Sequence, residues 1–184
     1  MWAYDLAESL LAEPLPRRWA HSLGVANRAR SLQPILGPDA ELLEAAAVLH
    51  DIGYTPKLAT TGFHPLDGAR FLRDAAGVDD RVVRLVANHS CALLEAEERG
   101  GTLQRELAEE FPLEEPNLVD ALIYCDMTTT PDGELTTTPE RIAEIVGRYG
   151  PDSVVGRFIR RAEPEIHGAA QRVAEQLERA AAGA

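Results

Sequence analysis

A histidine and an aspartate stand side by side in the segment VLHDIGYTPK, residues 48–57, where an apolar, helix-forming stretch meets a glycine. Apolar residues occur three, four and seven positions before His50, so its imidazole continues the apolar face of the predicted helix and points inward. A buried carboxylate such as that of Asp51 is uncommon unless it is paired or bound to a metal. The pair therefore indicates that the end of this helix can coordinate cations through an imidazole nitrogen and two carboxylate oxygens.

Further polar residues lie at the ends of apolar helical faces. His89 and Asp126 each follow aliphatic residues at the same spacings, and His21 begins a similar face. A single histidine in such a position is usually a hydrogen-bonded core residue. Four histidines and two aspartates converge better on metal binding, and they exceed the three or four protein ligands of a typical single zinc site. The sequence therefore predicts two ions, with Fe, Mn, Co or Zn favoured over Mg alone. The candidate ligands are His21, His50, Asp51, His64, His89 and Asp126.

Helices must position these residues, and helical periodicity dominates the chain, with no alternating strand pattern of useful length. We predict an all-α bundle with helices at 2–13, 16–33, 39–51, 64–76, 79–89, 102–111, 116–127, 138–149 and 152–181. Two irregular loops follow predicted ligands: GYTPKLATTGF after the His-Asp pair and MTTTPDGELTTT after Asp126. Loops on rigid scaffolds often carry function.

Proline, capping residues and glycine mark the predicted boundaries of these helices. Pro16 and Pro116 fit first-turn positions, and Asp39 and Thr138 fit N-caps. The glycines that fit chain reversals are Gly37, Gly77 and Gly150.

Composition places this chain among ordinary globular proteins. Its 184 residues, of which 45% are hydrophobic and 26% charged, predict one domain over residues 1–184. No apolar run approaches the roughly 20 residues of a membrane span. The first residues lack the basic region and cleavage site of a secretory signal, and two cysteines make a disulfide framework unlikely. We therefore expect a cytoplasmic monomer or homodimer with no membrane partner.

The formal net charge of −12 bears on the choice of partner. It repels polyanions and argues against long nucleic acid. A small anionic substrate remains compatible with it, because bound cations and local arginines can reverse the field inside one pocket.

The ordered residues H…HD…H…H…D resemble the pattern of the HD-domain metal-dependent phosphohydrolase superfamily, whose central motif often reads HDIG. The resemblance covers roughly residues 17–130 and leaves the predicted helices at 138–181 unsupported. The segments RRWAHSLGVA, FHPLDGARFL and VANHS look like those of dinuclear members, including hydrolases of symmetrical dinucleoside tetraphosphates. The long acidic interval between His89 and Asp126 departs from that particular group.

The resemblance implies a ligand arrangement and two cofactor ions. Residues His21, His50, Asp51 and Asp126 would hold one ion, and Asp51, His64 and His89 would hold the other, with Asp51 bridging. The ions are expected to be divalent transition metals, Fe or Mn first, with Zn, Co or Ni as alternatives.

The implied reaction is hydrolysis of a phosphomonoester, phosphodiester or phosphoanhydride of a small molecule by metal-activated hydroxide, with nucleotides as the first candidates. An alternative is a mixed-valence diiron oxygenase of the same fold that acts on a small polyol or phosphonate. Ligand identity does not separate the two chemistries.

Four other residues are candidates for catalysis or substrate binding, each with a structural alternative. Arg18 lies one turn before His21 and could meet a phosphate, or be a solvated surface arginine. Lys57, the only lysine in the chain, could contact phosphate or leaving group in substrate binding and catalysis. Asp67 could orient water or an imidazole, or be an ordinary acid of a helical first turn. Thr128 could form part of the substrate wall, although any turn has a similar composition.

Overall fold

The computed structural model describes residues 2–75 and 78–183, and within them it is all-α, as predicted. Residues 2–75 contain α1 (Trp2–Leu11), α2 (Pro16–Arg30), α3 (Gln33–Leu36), α4 (Asp39–Leu49) and α5 (His64–Asp74). Residues 78–183 contain α6 (Asp80–Asn88), α7 (Ala92–Arg99), α8 (Leu103–Glu110), α9 (Pro116–Met127), α10 (Thr138–Tyr149) and α11 (Val154–Ala182). Two short 3-10 turns, Ile52–Tyr54 and His89–Cys91, follow α4 and α6.

The structure differs from the predicted helices at three places. The predicted helix at 16–33 is two helices, because Pro34 has no N–H and its ring would clash with the carbonyl of Arg30 in a continuous helix. Helix α7 was not predicted, since its apolar residues directly follow those of α6 with only a sharp turn between them. The predicted helix at 64–76 ends at Asp74. Residue 76, the last of that predicted helix, lies outside the described residues, as does Gly77, which was predicted at a chain reversal.

The capping predictions are partly confirmed. Pro16 and Pro116 lie in first turns, and Gly37 and Gly150 end helices with positive φ. The cap of α10 is Thr137 rather than Thr138, because Glu140 lies three residues after Thr137 and completes a capping box with it. Asp39 is also not a cap: it is the first residue of α4, and its carboxylate accepts a hydrogen bond from Arg81.

Helix α9 is buried on nearly all sides and separates two hydrophobic clusters. The larger cluster joins α9 to the N-terminal helices, and the smaller joins it to α10 and α11 through residues such as Met127, Ile145 and Phe158. Because α9 contacts both, its C-terminal end, which carries Asp126, lies at the junction of the N-terminal helices with the last two. No helix in the described ranges is both long and apolar enough to cross a bilayer.

Candidate metal centre

Six predicted ligands converge from five places in the fold. His21 lies in α2, His50 and Asp51 directly follow α4, His64 begins α5, His89 follows α6, and Asp126 lies in the last turn of α9. Each is at most 7% exposed. Four histidines and two aspartates are thus buried together at one place, and such polar side chains require compensating partners when they are buried.

The ligand atoms form two groups that share Asp51. One contains His21, His50 and Asp51, the other Asp51, His64 and His89, and within each group these atoms lie within 4.8 Å of one another. The Oδ1 atom of Asp51 is 3.6 Å from Nε2 of His50 and 3.5 Å from Nε2 of His64. Donor atoms bound to one transition metal at about 2.1 Å stand roughly 3–3.5 Å apart. A single carboxylate oxygen therefore faces donors of both groups.

Asp126 adjoins the first group. Its Oδ1 atom lies 2.9 Å from Nε2 of His21 and 4.0 Å from Nε2 of His50. The Nδ1 atom of His21 donates to the carbonyl oxygen of Thr130 at 2.9 Å. The contact between Nε2 and the carboxylate therefore needs a positive charge, from a second ring proton or from a metal ion.

Backbone carbonyls also orient two other imidazoles. Nδ1 of His50 donates to the carbonyl of Ala47 at 2.7 Å, and Nδ1 of His89 donates to that of Val86 at 2.6 Å. A carbonyl only accepts, so each Nδ1 carries the proton and each Nε2 offers a lone pair to the site. Nε2 of His50 is buried with no hydrogen-bond partner among the described residues. An orphaned lone pair beside two carboxylates fits a cation.

The protonation states suit metal binding. Burial would raise the pKa of Asp51, but Arg18 and the surrounding imidazoles outweigh it and hold that pKa well below its ordinary value. Burial would also raise the pKa of Asp126, but the hydrogen bond to His21 and the charge of His50 lower it below its ordinary value. Burial and neighbouring imidazoles lower the pKa values of His64 and His89. Anionic carboxylates and neutral imidazoles are the forms that ligate metals.

Close backbone contacts at glycines set the positions of the ligands. A Cβ atom on Gly53 would lie 2.0 Å from the carbonyl oxygen of His64, so the start of α5 can rest on the HDIG turn only because this residue is glycine. A Cβ on Gly133 would lie 2.4 Å from the carbonyl oxygen of Ala20. That contact holds the loop carrying the Thr130 carbonyl against α2.

Ser90 is a site residue that sequence reasoning missed. Its hydroxyl donates to Oδ2 of Asp126. Ser90 and Cys91 both adopt left-handed backbone conformations, with φ of 47° and 63°. Such strain in non-glycine residues is maintained where the surrounding structure requires it, often at functional sites. The only sequence signal was its position next to His89.

A cavity of about 90 Å³ opens onto the ligands. Tyr54, also missed by sequence reasoning, stacks on His64 with ring centroids 3.8 Å apart. Arg18 lies 3.3 Å above the Tyr54 ring and donates to Oδ2 of Asp51 at 2.6 Å. The far wall comes from α10 and α11, which carry no functional motif in the sequence. It includes Arg141, Arg148, Tyr149, Phe158 and Ile159.

The four predicted substrate or catalytic residues lie in different environments. Arg18 lines the cavity, whereas Lys57, Asp67 and Thr128 are not among its lining residues. Lys57 is exposed, and its functional role stays a prediction. The carboxylate of Asp67 accepts hydrogen bonds from residues 60–62 and so anchors the loop before α5. The hydroxyl of Thr128 donates to the carbonyl of Tyr124 at the end of α9. These contacts favour structural roles for Asp67 and Thr128.

The fold and the site together define an all-α protein with a buried histidine–aspartate centre suited to metal ions. Residues 18–127 match the family model of the HD domain. The chain belongs to the HD domain family, whose members are generally metal-dependent phosphohydrolases.

One curated relative that it matches is Ribonuclease Y of Rubrobacter xylanophilus, with 39% identity over 70 residues. The match covers 38% of this chain and 13% of the relative, so the two share only a small part of the larger protein. No solved structure matches the chain significantly.

Proposed function

We propose that the protein is a dinuclear metal-dependent phosphohydrolase of small phosphorylated molecules, with nucleotides as the first substrates to test. The observation that carries this proposal is the sharing of Asp51 between two ligand groups. His21, His50 and Asp126 would complete the site of one ion, and His64 and His89 that of the other. Two divalent ions about 3.5–4 Å apart lower the pKa of a bound water and stabilise charge on a phosphoryl group.

The protein's own residues orient and enclose this centre. The carbonyls of Ala47, Val86 and Thr130 fix the imidazole directions, and Ser90 fixes one carboxylate. Arg18 holds one oxygen of Asp51 and leaves the other, Oδ1, facing both ligand groups. Its guanidinium also lines the cavity, where it can donate to a substrate oxygen. Apolar residues of α11, including Phe158 and Ile159, line the opposite wall.

Metal content tests the dinuclear assignment directly. Elemental analysis of the purified protein should give two transition-metal ions per chain. His64→Ala should lose mainly one ion, because it removes a ligand of a single group, whereas Asp51→Ala should lose both. One ion in the wild type, unchanged in His64→Ala, contradicts the assignment.

A hydrolysis screen tests the reaction. Phosphomonoesters, nucleotides, dinucleotides and short oligoribonucleotides should be included, the last because a relative is named a ribonuclease. Chelation should abolish activity, and Mn²⁺ or Fe²⁺ should restore it. Reaction in ¹⁸O-water should place one label in the phosphate product without a covalent phosphoenzyme, since water rather than a side chain attacks phosphorus. If nothing in the screen is hydrolysed, oxygen consumption by iron-loaded protein that depends on an added polyol or phosphonate would instead assign a diiron oxygenase.

Two matched cation deletions test the proposed substrate contacts. Arg18→Ala should keep the fold and metal content and lower kcat/KM by about tenfold or more, because a charge-assisted contact is lost. Lys57→Ala removes a cation that lies outside the cavity lining. If Lys57→Ala hydrolyses the substrate at the wild-type rate, Lys57 has no role in substrate binding or catalysis. A loss of kcat/KM comparable with that of Arg18→Ala establishes the role.

A further inference from the structure

A second cavity of about 210 Å³ adjoins the metal centre and is unusually rich in arginine. It shares four lining residues with the first cavity. Its lining residues are Arg17, Arg18, His21, Pro131, Arg141 and Arg148. Four guanidinium groups thus converge on one concavity of a chain whose formal net charge is −12. Each cavity exceeds the roughly 10–15 Å³ needed to admit one water.

Arg141 carries the strongest evidence that the second cavity is built for a ligand. The residue is 7% exposed, and its Nε atom is buried with no hydrogen-bond partner among the described residues. A buried guanidinium is costly unless its charge and its donors are satisfied. Because Arg141 lines the cavity, an anion there would supply countercharge and acceptors for its guanidinium.

The carboxylates near α10 do not neutralise its two cavity arginines. Glu144 accepts from Arg141 and also lies 3.2 Å from Nε of Arg148, so two guanidinium groups share one carboxylate. Arg17, by contrast, has its own bidentate partner in Asp132. Arg18 is paired with Asp51. Asp126 also acts on Arg141 through its charge, but it is a candidate metal ligand of the centre, so Arg141 and Arg148 carry more positive charge than their shared Glu144 neutralises.

We propose that Arg141 and Arg148 form an anion subsite that binds a second phosphoryl group of the substrate. The proposal rests on the proposed phosphohydrolase function for its ligand class. Guanidinium groups match phosphate oxygens in geometry and charge. Because Arg18, His21, Arg141 and Arg148 line both cavities, two phosphoryl groups of one molecule can occupy the centre and the subsite together. The subsite lies on α10, beyond the matched residues 18–127, and it selects polyphosphorylated substrates over monophosphates.

Calorimetric titration of inorganic tripolyphosphate and inorganic phosphate into metal-depleted protein tests the subsite without catalysis. Tripolyphosphate should bind at least tenfold more tightly than phosphate, with an affinity that falls as salt rises. Arg141→Gln and Arg148→Gln should each weaken tripolyphosphate binding about tenfold or more. Arg105→Gln makes the same charge change at an exposed position on α8 and should bind like the wild type. Unchanged affinity in both α10 variants overturns the proposal.

Two further measurements separate the subsite from folding and from catalysis. Circular dichroism and thermal unfolding identify a variant that fails to fold. If Arg141→Gln fails to fold, the exposed Arg148 provides the test. In metal-loaded protein, Arg148→Gln should raise KM for a polyphosphorylated substrate by a larger factor than KM for a monophosphate. Arginine-dependent tripolyphosphate binding without any hydrolysis supports the subsite and refutes the proposed function. If the protein hydrolyses phosphate esters but its tripolyphosphate affinity does not depend on either arginine, the proposed function is supported and the subsite is refuted.

Discussion

The two ligands that follow helices directly, His50 and His89, are oriented by the same local device. Each imidazole donates from Nδ1 to the carbonyl three residues earlier, and such carbonyls lack intrahelical partners because the helix ends there. The helix end thus supplies an acceptor that fixes the ring and directs Nε2 into the site. This arrangement explains why these ligands stand at helix ends and not within the helices.

The direction of a ligand side chain can be predicted from sequence where helical periodicity determines its burial. The apolar faces before His50, His89 and Asp126 correctly predicted that these side chains point inward. The same reasoning did not place Lys57 or Tyr54, because both belong to the segment after Asp51, whose course depends on tertiary contacts rather than periodicity. Tyr54 lies against His64, whereas Lys57 is exposed.

Ser90 permits a prediction that separates metal positioning from backbone strain. Ser90→Ala and Ser90→Gly both remove the hydroxyl that donates to Asp126, so each should lower metal affinity about 10- to 100-fold. The glycine variant should be about 1 kcal/mol more stable than the alanine variant without metal, because glycine adopts a left-handed conformation without a Cβ penalty. Metal titration and urea unfolding measure the two effects. Equal stability of the two variants would argue against strain at this position.

At the scale of elements, the sequence predicted most helices because caps, prolines and periodicity act locally. It did not predict features that depend on tertiary contacts. Helix α7 begins after two left-handed residues whose conformation no local pattern predicts. The contribution of α10 to the site was also missed, since Arg141 and Arg148 occupy ordinary helical positions and reach the site only because α10 packs on α9 and α11.

The contact between the HDIG turn and α5 gives an element-scale prediction. Gly53→Ala places a Cβ where the His64 carbonyl now lies, so α5 must move, at a cost of about 1–3 kcal/mol and with loss of metal held by His64. Gly147→Ala is the matched control. Its Cβ would meet nothing within 4 Å in the last turn of α10, so it should stabilise the protein by about 0.5–1 kcal/mol. Urea unfolding and metal analysis test both, and a harmless Gly53→Ala would remove the importance of this contact.

At the scale of the whole molecule, the centre lies between helices inside the residues that match the family model and helices outside them. The matched residues 18–127 supply all six candidate ligands, while α10 and α11 add the opposite cavity wall. Helix α1 also lies outside the match and packs on α4. The family pattern could therefore predict the ligands from sequence but not the walls that would select a substrate.

An ion pair between the buried Glu44 and the largely exposed Arg30 links α2 to α4, Tyr4 of α1 joins it, and stability depends on pH through it. The carboxylate of Glu44 accepts from Arg30 at 2.5 Å and from the hydroxyl of Tyr4 at 2.7 Å. The hydrogen bond from Arg30 lowers the pKa of Glu44 below its ordinary value, against the effect of burial. A depressed carboxyl pKa contributes stability that is present above the unfolded-state pKa of about 4.3 and is lost as pH falls through the folded-state value.

Glu44→Gln should therefore destabilise the protein at pH 7 by about 1 kcal/mol, a modest figure because Arg30 is largely exposed. The difference from wild type should shrink steadily as pH falls below about 4.3, since protonation removes the same charge from the wild type. Glu109→Gln, an equal charge change at an exposed position of α8, should show little difference at either pH. Urea unfolding of chelator-treated proteins between pH 7 and pH 3 measures these changes without the contribution of metal. A Glu44→Gln deficit that stays constant across this range would mean that the mutation acts through packing, and that the ion pair does not stabilise the junction of these helices.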